Sequence, residues 1–376
     1  MLPDFRLETH FAIWEFAARH HLTASDAETI TLNVLLSFGS DGDRADFLDM
    51  RLGYTETKGS PELRTEIAET YDVRGADDLL CFAGAEEGIF ATLTTLLDKD
   101  DHAIVVLPAY QSLESIPRSI CSTTGIPLEL RDGWRLDLGK LADAIRPGTR
   151  AVIINFPHNP TGALLPDEEL LQLIDICSRR GIWLFSDEAY RPLGPLGGRQ
   201  SPQVADLYDR GISLGVMSKA YGLPGLRIGW IACADRDLLA RVEKTKHYLS
   251  ICNSGPSEKL ATIALRARDR ILERNCRIVS EGLLQWSAFF SRHEQLFDWI
   301  PPVAGCVAYP RFRGAEGIDS FANSLLEEAG VLILPASIYA SPVVPLPADH
   351  FRVGAGRLGL LDGLNAFDDF LVSRGQ

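Results

Sequence analysis

The stretch SKAYGLPGLRIG, residues 218–229, raises the first question about this sequence. Lys219 stands there among apolar and glycine residues, and Arg227 follows eight positions later. A lone lysine is usually a solvated surface residue, because its charge is costly to bury. Here, however, the lysine directly follows the apolar run ISLGVMS (212–218), which predicts a buried strand. Lys219 is therefore expected at the end of a strand.

Similar apolar runs predict further strands and decide the fold class. They are bounded by turn residues and comprise LLCFAG (79–84), HAIVVLP (102–108), RAVIINFP (150–157) and GIWLFSDE (181–188). Segments with helical spacing lie between them, for example DEELLQLIDICSRRG (167–181). Strands and helices that alternate in this way indicate an α/β protein with a doubly wound, mainly parallel sheet that is buried on both faces.

The pattern changes toward the C-terminus. A long helix is predicted from about residue 256, and a smaller α+β unit with strands near VAYPRF and GVLILP follows it. A chain of 376 residues is long enough to form two domains. We therefore predict a large domain over residues 45–270 and a small domain built from residues 1–44 and 271–376.

Composition argues against several functional classes. The net charge of −14 disfavours nucleic acid as a partner, because phosphate binding needs a basic face. The sequence has no run of eighteen apolar residues and no secretory signal, so neither a membrane span nor export is expected. The seven cysteines form no CxxC pair, which disfavours disulfides and a metal site. These features favour a cytoplasmic protein without a metal.

Polar and aromatic residues follow the predicted strands. Ligands of doubly wound sheets bind beyond the carboxyl ends of the strands. The residues in these loops are Gly84, Ala85 and Glu86 at the start of a helix, then Tyr110, Asn159, Asp187, Tyr190, Ser218 and Lys219. Each has an ordinary structural explanation, such as packing for Tyr110 or a helix cap for Asp187. Their coincidence at one edge of a sheet favours a common site.

Three segments together resemble a known family. NFPHNPTG (155–162), SDEAY (186–190) and SKAYGLPGLRIGW (218–230) are similar to the signature segments of fold-type I pyridoxal 5′-phosphate (PLP) enzymes of the class I/II aminotransferase family. The resemblance extends from Tyr54 to Arg352. It implies an aspartate aminotransferase-like fold, with a large PLP-binding domain and a smaller α+β domain. GLPGLRIG also resembles a segment of aminocyclopropane-carboxylate synthases.

The resemblance implies a role for each residue of the predicted site. Lys219 would form a Schiff base with PLP and move the proton at the substrate α-carbon, for which a lowered pKa suits it. Asp187 would face the pyridine nitrogen. Asn159 and Tyr190 would hydrogen-bond the phenolic oxygen of the cofactor, and Tyr110 would stack on its ring.

Phosphate and substrate contacts are implied in the same way. The phosphate would be bound by the backbone of Gly84, Ala85 and Glu86, by Ser218 and Arg227, and by Tyr54 of a neighbouring subunit. Arg352, in HFRVGAGR, would bind the substrate α-carboxylate beside Asn159, because its planar guanidinium matches a carboxylate in two bonds. Arg357 competes for that role. The Tyr54 contact implies a homodimer with shared active sites.

These roles favour an aminotransferase that acts on an α-amino acid and a 2-oxo acid. The alternative is PLP-dependent elimination or replacement, cyclisation or oxidation, because the same motifs serve several reaction classes. A PLP-binding regulatory module without turnover is disfavoured, since every catalytic group is present. The N-terminal segment 8–28 contains Trp14, Glu15, Ser25, Asp26 and Glu28, which are candidates for specificity or part of an amphipathic docking helix. The acidic residues hint at a basic or polar substrate, and the substrate side chain is left open.

Overall fold

The computed structural model describes residues 2–130, 133–194 and 198–375. Its helices are α1 (Arg6–Trp14), α2 (Leu32–Leu36), α3 (Asp41–Leu48), α4 (Pro61–Ala68), α5 (Ala85–Leu96), α6 (Gln111–Ile120), α7 (Leu138–Asp143), α8 (Asp167–Ser178), α9 (Val204–Leu207), α10 (Arg236–Lys246), α11 (Gly255–Arg266), α12 (Arg268–Arg292), α13 (Ile318–Ala329) and α14 (Leu360–Ser373). Its strands are β1 (His20–His21), β2 (Leu79–Phe82), β3 (His102–Leu107), β4 (Ser122–Pro127), β5 (Thr149–Asn155), β6 (Trp183–Asp187), β7 (Gly211–Val216), β8 (Gly229–Cys233), β9 (Phe297–Asp298), β10 (Val307–Ala308), β11 (Arg311–Phe312), β12 (Val331–Leu332), β13 (Leu334–Pro335) and β14 (Phe351–Gly354).

The centre of the molecule is a seven-stranded sheet with the order β2-β8-β7-β6-β5-β3-β4. The pairs β3–β4, β3–β5, β5–β6 and β6–β7 are parallel, whereas β8 runs antiparallel to both of its neighbours. Each predicted apolar run of the large unit forms one of these strands. Strands β4 and β8 were not predicted. The β4 segment STTGIP is polar and partly exposed, and the β8 segment GWIAC overlaps the end of the family motif SKAYGLPGLRIGW. The mainly parallel α/β fold is confirmed.

Both faces of this sheet are buried. On β3, Ile104 and Val106 belong to one hydrophobic core, whereas Ala103 and Val105 belong to the other. This separation follows from the two-residue period of a strand, which sends successive side chains to opposite faces. Polar side chains are therefore expected at the strand ends, where the apolar layers stop.

The C-terminal part has its own aromatic core. Trp286, Phe289, Phe290, Phe321 and Phe367 lie together between α12, α13 and α14. The long helix predicted from residue 256 is wrong in one respect, because the structure has two helices, α11 and α12, which are separated at residue 267. The domain boundaries at residues 44/45 and 270/271 stay a prediction.

The N-terminal segment 20–28 joins this part to the central sheet. Strand β1 pairs with β12 in parallel, and the amide of Gly354 on β14 donates to the carbonyl of Leu22 (2.8 Å). A Cβ atom at Gly354 would lie 2.0 Å from the carbonyl oxygen of Ala24, so only glycine permits this approach. Further along, the amide of Ala27 donates to the carbonyl of Lys219 (3.1 Å). The segment therefore passes directly over the loop that follows β7.

Among the described residues, no helix combines the length and hydropathy that a membrane crossing requires.

Candidate active site

A cavity of about 690 Å³ lies where the carboxyl edge of the central sheet meets α1, segment 20–28 and the C-terminal part. It brings together most residues of the predicted site. Those that line it are Ala85, Glu86, Tyr110, Asn159, Asp187, Tyr190, Ser218, Lys219, Arg227 and Arg352. Parallel strands place their carboxyl ends at one edge, and this explains why residues so distant in sequence meet. Tyr54 does not line the cavity of the single chain and is 93% exposed.

Lys219 follows β7 and is held in place by its surroundings. Its Nζ donates a hydrogen bond to Ser25 Oγ (3.0 Å), and Ser25 also lines the cavity. Burial lowers the pKa of the Lys219 amine, Asp26 opposes this shift, and Arg352 adds to it. The neutral amine, which is the nucleophilic and basic form, is therefore more available than in a solvated lysine.

Asp187 ends β6 and lies at the bottom of the cavity. Its Oδ1 accepts a hydrogen bond from the amide of Ala189 (3.0 Å), and its main-chain carbonyl accepts from Asn155 Nδ2 (2.9 Å). Burial raises the pKa of the carboxyl group to about 6, although the Ala189 amide and Lys219 lower it. A buried carboxylate with this pKa favours a cationic partner, because such a partner would offset the loss of solvation.

Arg352 on β14 is fully buried (0% exposed), and its partners are neutral oxygen atoms. It donates to Thr23 Oγ1 (3.2 Å) and the Thr23 carbonyl (2.9 Å), to Tyr339 Oη (2.8 Å) and to Asn159 Oδ1 (3.3 Å). Among the described residues, no carboxylate lies within 4.0 Å of this guanidinium. A buried charge without a counter-ion is costly, so the arrangement favours an anionic ligand at Arg352.

Arg357 differs from Arg352 in this respect. Its Nη2 lies 2.7 Å from Asp26 Oδ1, and its Nη1 lies 4.0 Å from Glu28 Oε1. Its charge is therefore already compensated within the protein. This difference favours Arg352 over Arg357 as the site for a substrate carboxylate.

The start of α5 packs against Arg227. Gly84 caps the helix at a φ of 95°, with no side chain to bond the free amides of the first turn. A Cβ atom at Gly84 would lie 2.5 Å from Arg227 Nη2, so the guanidinium packs directly against the glycine backbone. Arg227 itself has a left-handed φ of 51°. Free amides and a cation at the N-terminus of a twelve-residue helix suit a phosphate group.

Two tyrosines complete the side walls of the cavity. Tyr110 precedes α6 and donates its hydroxyl to Glu8 Oε1 (3.3 Å). Tyr190 donates its hydroxyl to the carbonyl of Ser25 (2.7 Å).

The side chain of Glu86 also reaches the cavity, where its Oε2 accepts from Ser112 Oγ (2.9 Å). Burial raises the pKa of the Glu86 carboxyl to about 7, and the nearby charges of Glu8 and Asp187 add to this shift.

Several residues around the site were not predicted. Asn155 positions the Asn159 backbone by accepting its amide (2.9 Å), while Thr23 and Tyr339 hold Arg352. Ser25 was considered only for specificity, yet it contacts Lys219. Asn155 stands in the NFPHNPTG segment, which is a signal that could have been used, whereas Thr23 and Tyr339 have no local signal.

Comparison with known proteins supports the same family. The family model "Aminotransferase class I and II" matches residues 42–357. Capreomycidine synthase of Streptomyces vinaceus is 29% identical, over 79% of this chain and 74% of the relative. Arginine–pyruvate transaminase AruH of Pseudomonas aeruginosa is 28% identical, over 80% of this chain and 77% of the relative.

Two solved structures agree in fold over nearly the whole chain. A PLP-dependent aminotransferase from Streptococcus suis superposes with a TM-score of 0.92 at 28% identity, covering 99% of this chain and 98% of that one. The PLP-dependent cyclase OrfR gives a TM-score of 0.89 at 27% identity, covering 100% and 98%. These likenesses confirm the aspartate aminotransferase-like, fold-type I architecture. The chain therefore belongs to the aminotransferase class I and II family and is a pyridoxal 5′-phosphate-dependent transferase.

Proposed function

We propose that this protein is an aminotransferase that exchanges an amino group between an α-amino acid and a 2-oxo acid. The observation that carries the proposal is the pairing of Lys219 and Arg352 in one cavity. The lysine amine has a lowered pKa, and the buried guanidinium lacks an anionic partner among the described residues. An amine that can react with the cofactor aldehyde and a buried cation that can bind an α-carboxylate are what a PLP-dependent reaction of any α-amino acid needs.

The residues around the cavity fit the cofactor. The backbone of Gly84, Ala85 and Glu86, with Ser218 and Arg227, would hold the phosphate, and the absence of a side chain at Gly84 lets the Arg227 guanidinium approach this backbone. Asp187 would pair with the ring nitrogen, Asn159 and Tyr190 would bond the phenolic oxygen, and Tyr110 would cover the ring. When bound, PLP supplies an aldehyde that captures amines and a ring that stores an electron pair.

The protein's own groups would then position and move the proton. Lys219 Nζ would remove the proton at the substrate α-carbon, while Ser25 Oγ, 3.0 Å away, keeps the amine within the cavity. Arg352 would fix the α-carboxylate in two bonds, so that the α-carbon faces Lys219. The buried Asp187 would stabilise positive charge on the ring nitrogen.

A second candidate function is replacement or cyclisation of an amino acid on the same cofactor. It is supported by similarity to capreomycidine synthase and to the cyclase OrfR, whose names do not describe transamination. Both functions would use the same Lys219, Asp187 and Arg352, because both begin with removal of the α-hydrogen from a bound amino acid.

A half-reaction separates the two candidates. PLP-loaded protein is mixed with single amino acids, and absorbance and mass spectrometry follow the cofactor and the products. Transamination converts the cofactor to pyridoxamine phosphate with release of a 2-oxo acid, and added pyruvate or 2-oxoglutarate reverses the change. Replacement or cyclisation leaves the cofactor as PLP and gives an amino acid of altered mass. The aminotransferase proposal fails if no amino acid converts the cofactor.

The proposal includes a homodimer in the cytoplasm. Its support comes from Tyr54, which stands in the segment RLGYTETKG that resembles the family's intersubunit contact. This side chain is 93% exposed in the single chain and is therefore free to contact a second subunit. In a dimer, Tyr54 would reach the phosphate bound by the neighbouring subunit.

A further inference from the structure

We infer that the substrate of this site carries a guanidinium side chain, which is recognised by Glu8 and Glu15 on one face of α1. The inference rests on the proposed function, because it describes the side-chain end of the same substrate cavity. It concerns residues that the family resemblance does not assign.

The first observation is the spacing of residues on α1. Glu8, Phe11 and Glu15 are three and four positions apart, so they lie on one face of the helix, with Glu15 directly after its last residue. All three line the cavity. The helix therefore presents two carboxylates to the substrate space, with an aromatic ring between them.

The second observation is that this face lies close to the proposed carboxylate site. The Arg352 Cζ atom lies 5.8 Å from the centre of the Phe11 ring. Glu8 and Glu15 flank Phe11 along the helix by about one turn each, which is roughly 5 Å. An amino acid held at Arg352 by its carboxylate could thus place the end of a long side chain beside Phe11 and between the two carboxylates.

The third observation concerns charge compensation in the cavity. Arg357 pairs with Asp26, and in the proposed complex Arg227 would meet the phosphate, Arg352 the α-carboxylate and Asp187 the ring nitrogen. Glu8 and Glu15 have no cation within 4.0 Å among the described residues. Both carboxylates are exposed in the single chain, so they are open to a cation of a ligand that enters the cavity.

The charges around Glu15 support this view. Burial raises the pKa of the Glu15 carboxyl, and the charges of Glu8 and Asp26 raise it further, whereas Lys219 and Arg357 lower it in part. A cation held against this carboxylate would lower its pKa further. Tyr110 donates a long hydrogen bond to Glu8 Oε1 (3.3 Å).

The chemistry of the wall favours guanidinium over ammonium. A guanidinium is planar, bonds carboxylates through two parallel N–H groups and stacks on aromatic rings, whereas an ammonium is a compact and strongly hydrated charge. Phe11 supplies a ring face beside the Glu8 and Glu15 carboxylates. Two carboxylates with an aromatic ring between them therefore match a guanidinium group best.

Binding of non-reactive ligands tests the inference on the PLP-loaded protein. Calorimetry compares 5-guanidinopentanoate with its neutral isostere 5-ureidopentanoate; neither has an amino group that could react with the cofactor. We expect the guanidino compound to bind about tenfold to a hundredfold more tightly. We expect Glu8→Gln and Glu15→Gln each to weaken it by about tenfold or more while leaving the ureido compound within about twofold.

The matched control is Glu168→Gln, since Glu168 is exposed on α8 and lies outside the cavity. It should change neither affinity. Circular dichroism and thermal unfolding verify that each variant is folded. Equal affinity for the two ligands, or an equal loss of both in the Glu8 and Glu15 variants, would overturn the inference.

The half-reaction distinguishes this failure from failure of the proposed function. L-arginine, L-lysine, L-citrulline and L-glutamate are compared as single substrates. Conversion of L-citrulline or L-glutamate in preference to L-arginine contradicts guanidinium recognition but leaves the aminotransferase proposal intact. Preference for L-lysine would mean that the site recognises an ammonium group and not a guanidinium group, and it would also count against the inference. If no amino acid converts the cofactor, the proposed function fails, and the binding experiment still decides the ligand class.

Discussion

The carboxyl edge of the central sheet and the face of α1 form two walls of one cavity, and they differ in how their polar groups are satisfied. At the sheet edge, Lys219 bonds Ser25, Asp187 accepts the Ala189 amide, and Asn159 accepts from Arg352. On α1, Glu8 has only a long bond from Tyr110. The sheet edge is thus held in place by protein contacts, whereas the Glu8 and Glu15 carboxylates of α1 are exposed and have no cation within 4.0 Å among the described residues.

This difference teaches how chemistry and specificity are separated in the molecule. The groups assigned to the cofactor stand on buried strands, whose register fixes their positions; Asn155 pairs with Asp187 across β5 and β6. The groups assigned to the substrate side chain stand on α1, whose Leu7 packs in a core with residues of the central sheet while Glu8 and Glu15 are exposed. The predictions below test each side of this comparison, beginning with the largest effect.

Removal of the lysine amine should have the largest effect. We expect Lys219→Ala to lower kcat/KM for every substrate by about 10⁴-fold, because the covalent anchor and the base are lost together. Steady-state kinetics of the PLP-supplemented protein measure this. Lys244→Ala, at an exposed position on α10, is the control and should retain activity. Substantial turnover by the Lys219→Ala variant would contradict a catalytic role for Lys219.

The two arginines should differ when each is replaced by lysine. We expect Arg352→Lys to raise KM for all α-amino acids by about a hundredfold, because the bidentate bond to the carboxylate is lost. Arg357→Lys should change KM by less than about tenfold, because Arg357 is already paired with Asp26. Kinetics with a neutral and a charged amino acid measure both. Equal losses would show that the carboxylate site includes Arg357.

Glu86 stands between the two walls and should link stability to pH. Its pKa is raised by burial from 4.5 to about 7, so the folded state binds this proton more tightly than the unfolded state does. Stability should therefore fall as pH rises from about 4.5 to about 7. We expect Glu86→Gln to stabilise the cofactor-free protein by about 1–3 kcal/mol at about pH 8, and to have little effect below about pH 4.5.

Urea unfolding at the two pH values measures this difference, with Glu168→Gln as an exposed control. A stabilisation that is equal at both pH values would point to packing and not to the buried charge. A destabilisation at high pH would mean that the Ser112 hydrogen bond outweighs the cost of burial.

The smallest effect is expected at the surface. We expect Tyr54→Phe to weaken PLP binding by up to about tenfold, because one hydrogen bond across the proposed dimer interface is lost. Tyr248→Phe is a matched control, since Tyr248 is 92% exposed and Tyr54 93%. Equilibrium dialysis measures cofactor affinity, and sedimentation measures the oligomeric state. Equal affinities of the two variants for PLP would contradict a contact between Tyr54 and the cofactor phosphate.

The amino-acid sequence by itself determined the α/β class and the strands of the sheet that carry the proposed site. The reason is local: Lys219 and Asp187 directly follow or end an apolar run, and a parallel sheet brings such ends to one edge. Arg227 precedes β8, and its place beside Gly84 depends on the fold. Order along the chain was enough to predict that the strand-end residues lie together.

Only the tertiary structure decided the contacts made across long separations in sequence. Thr23 meets Arg352 across 329 residues, and Ser25 meets Lys219 across 194. The antiparallel direction of β8 and the role of the α1 face also depend on packing between distant segments. An amphipathic helix such as α1 has the same pattern whether its polar face meets water or a ligand. Its position over the cavity is set by the packing of the whole chain, because no local preference specifies which surface a helix covers.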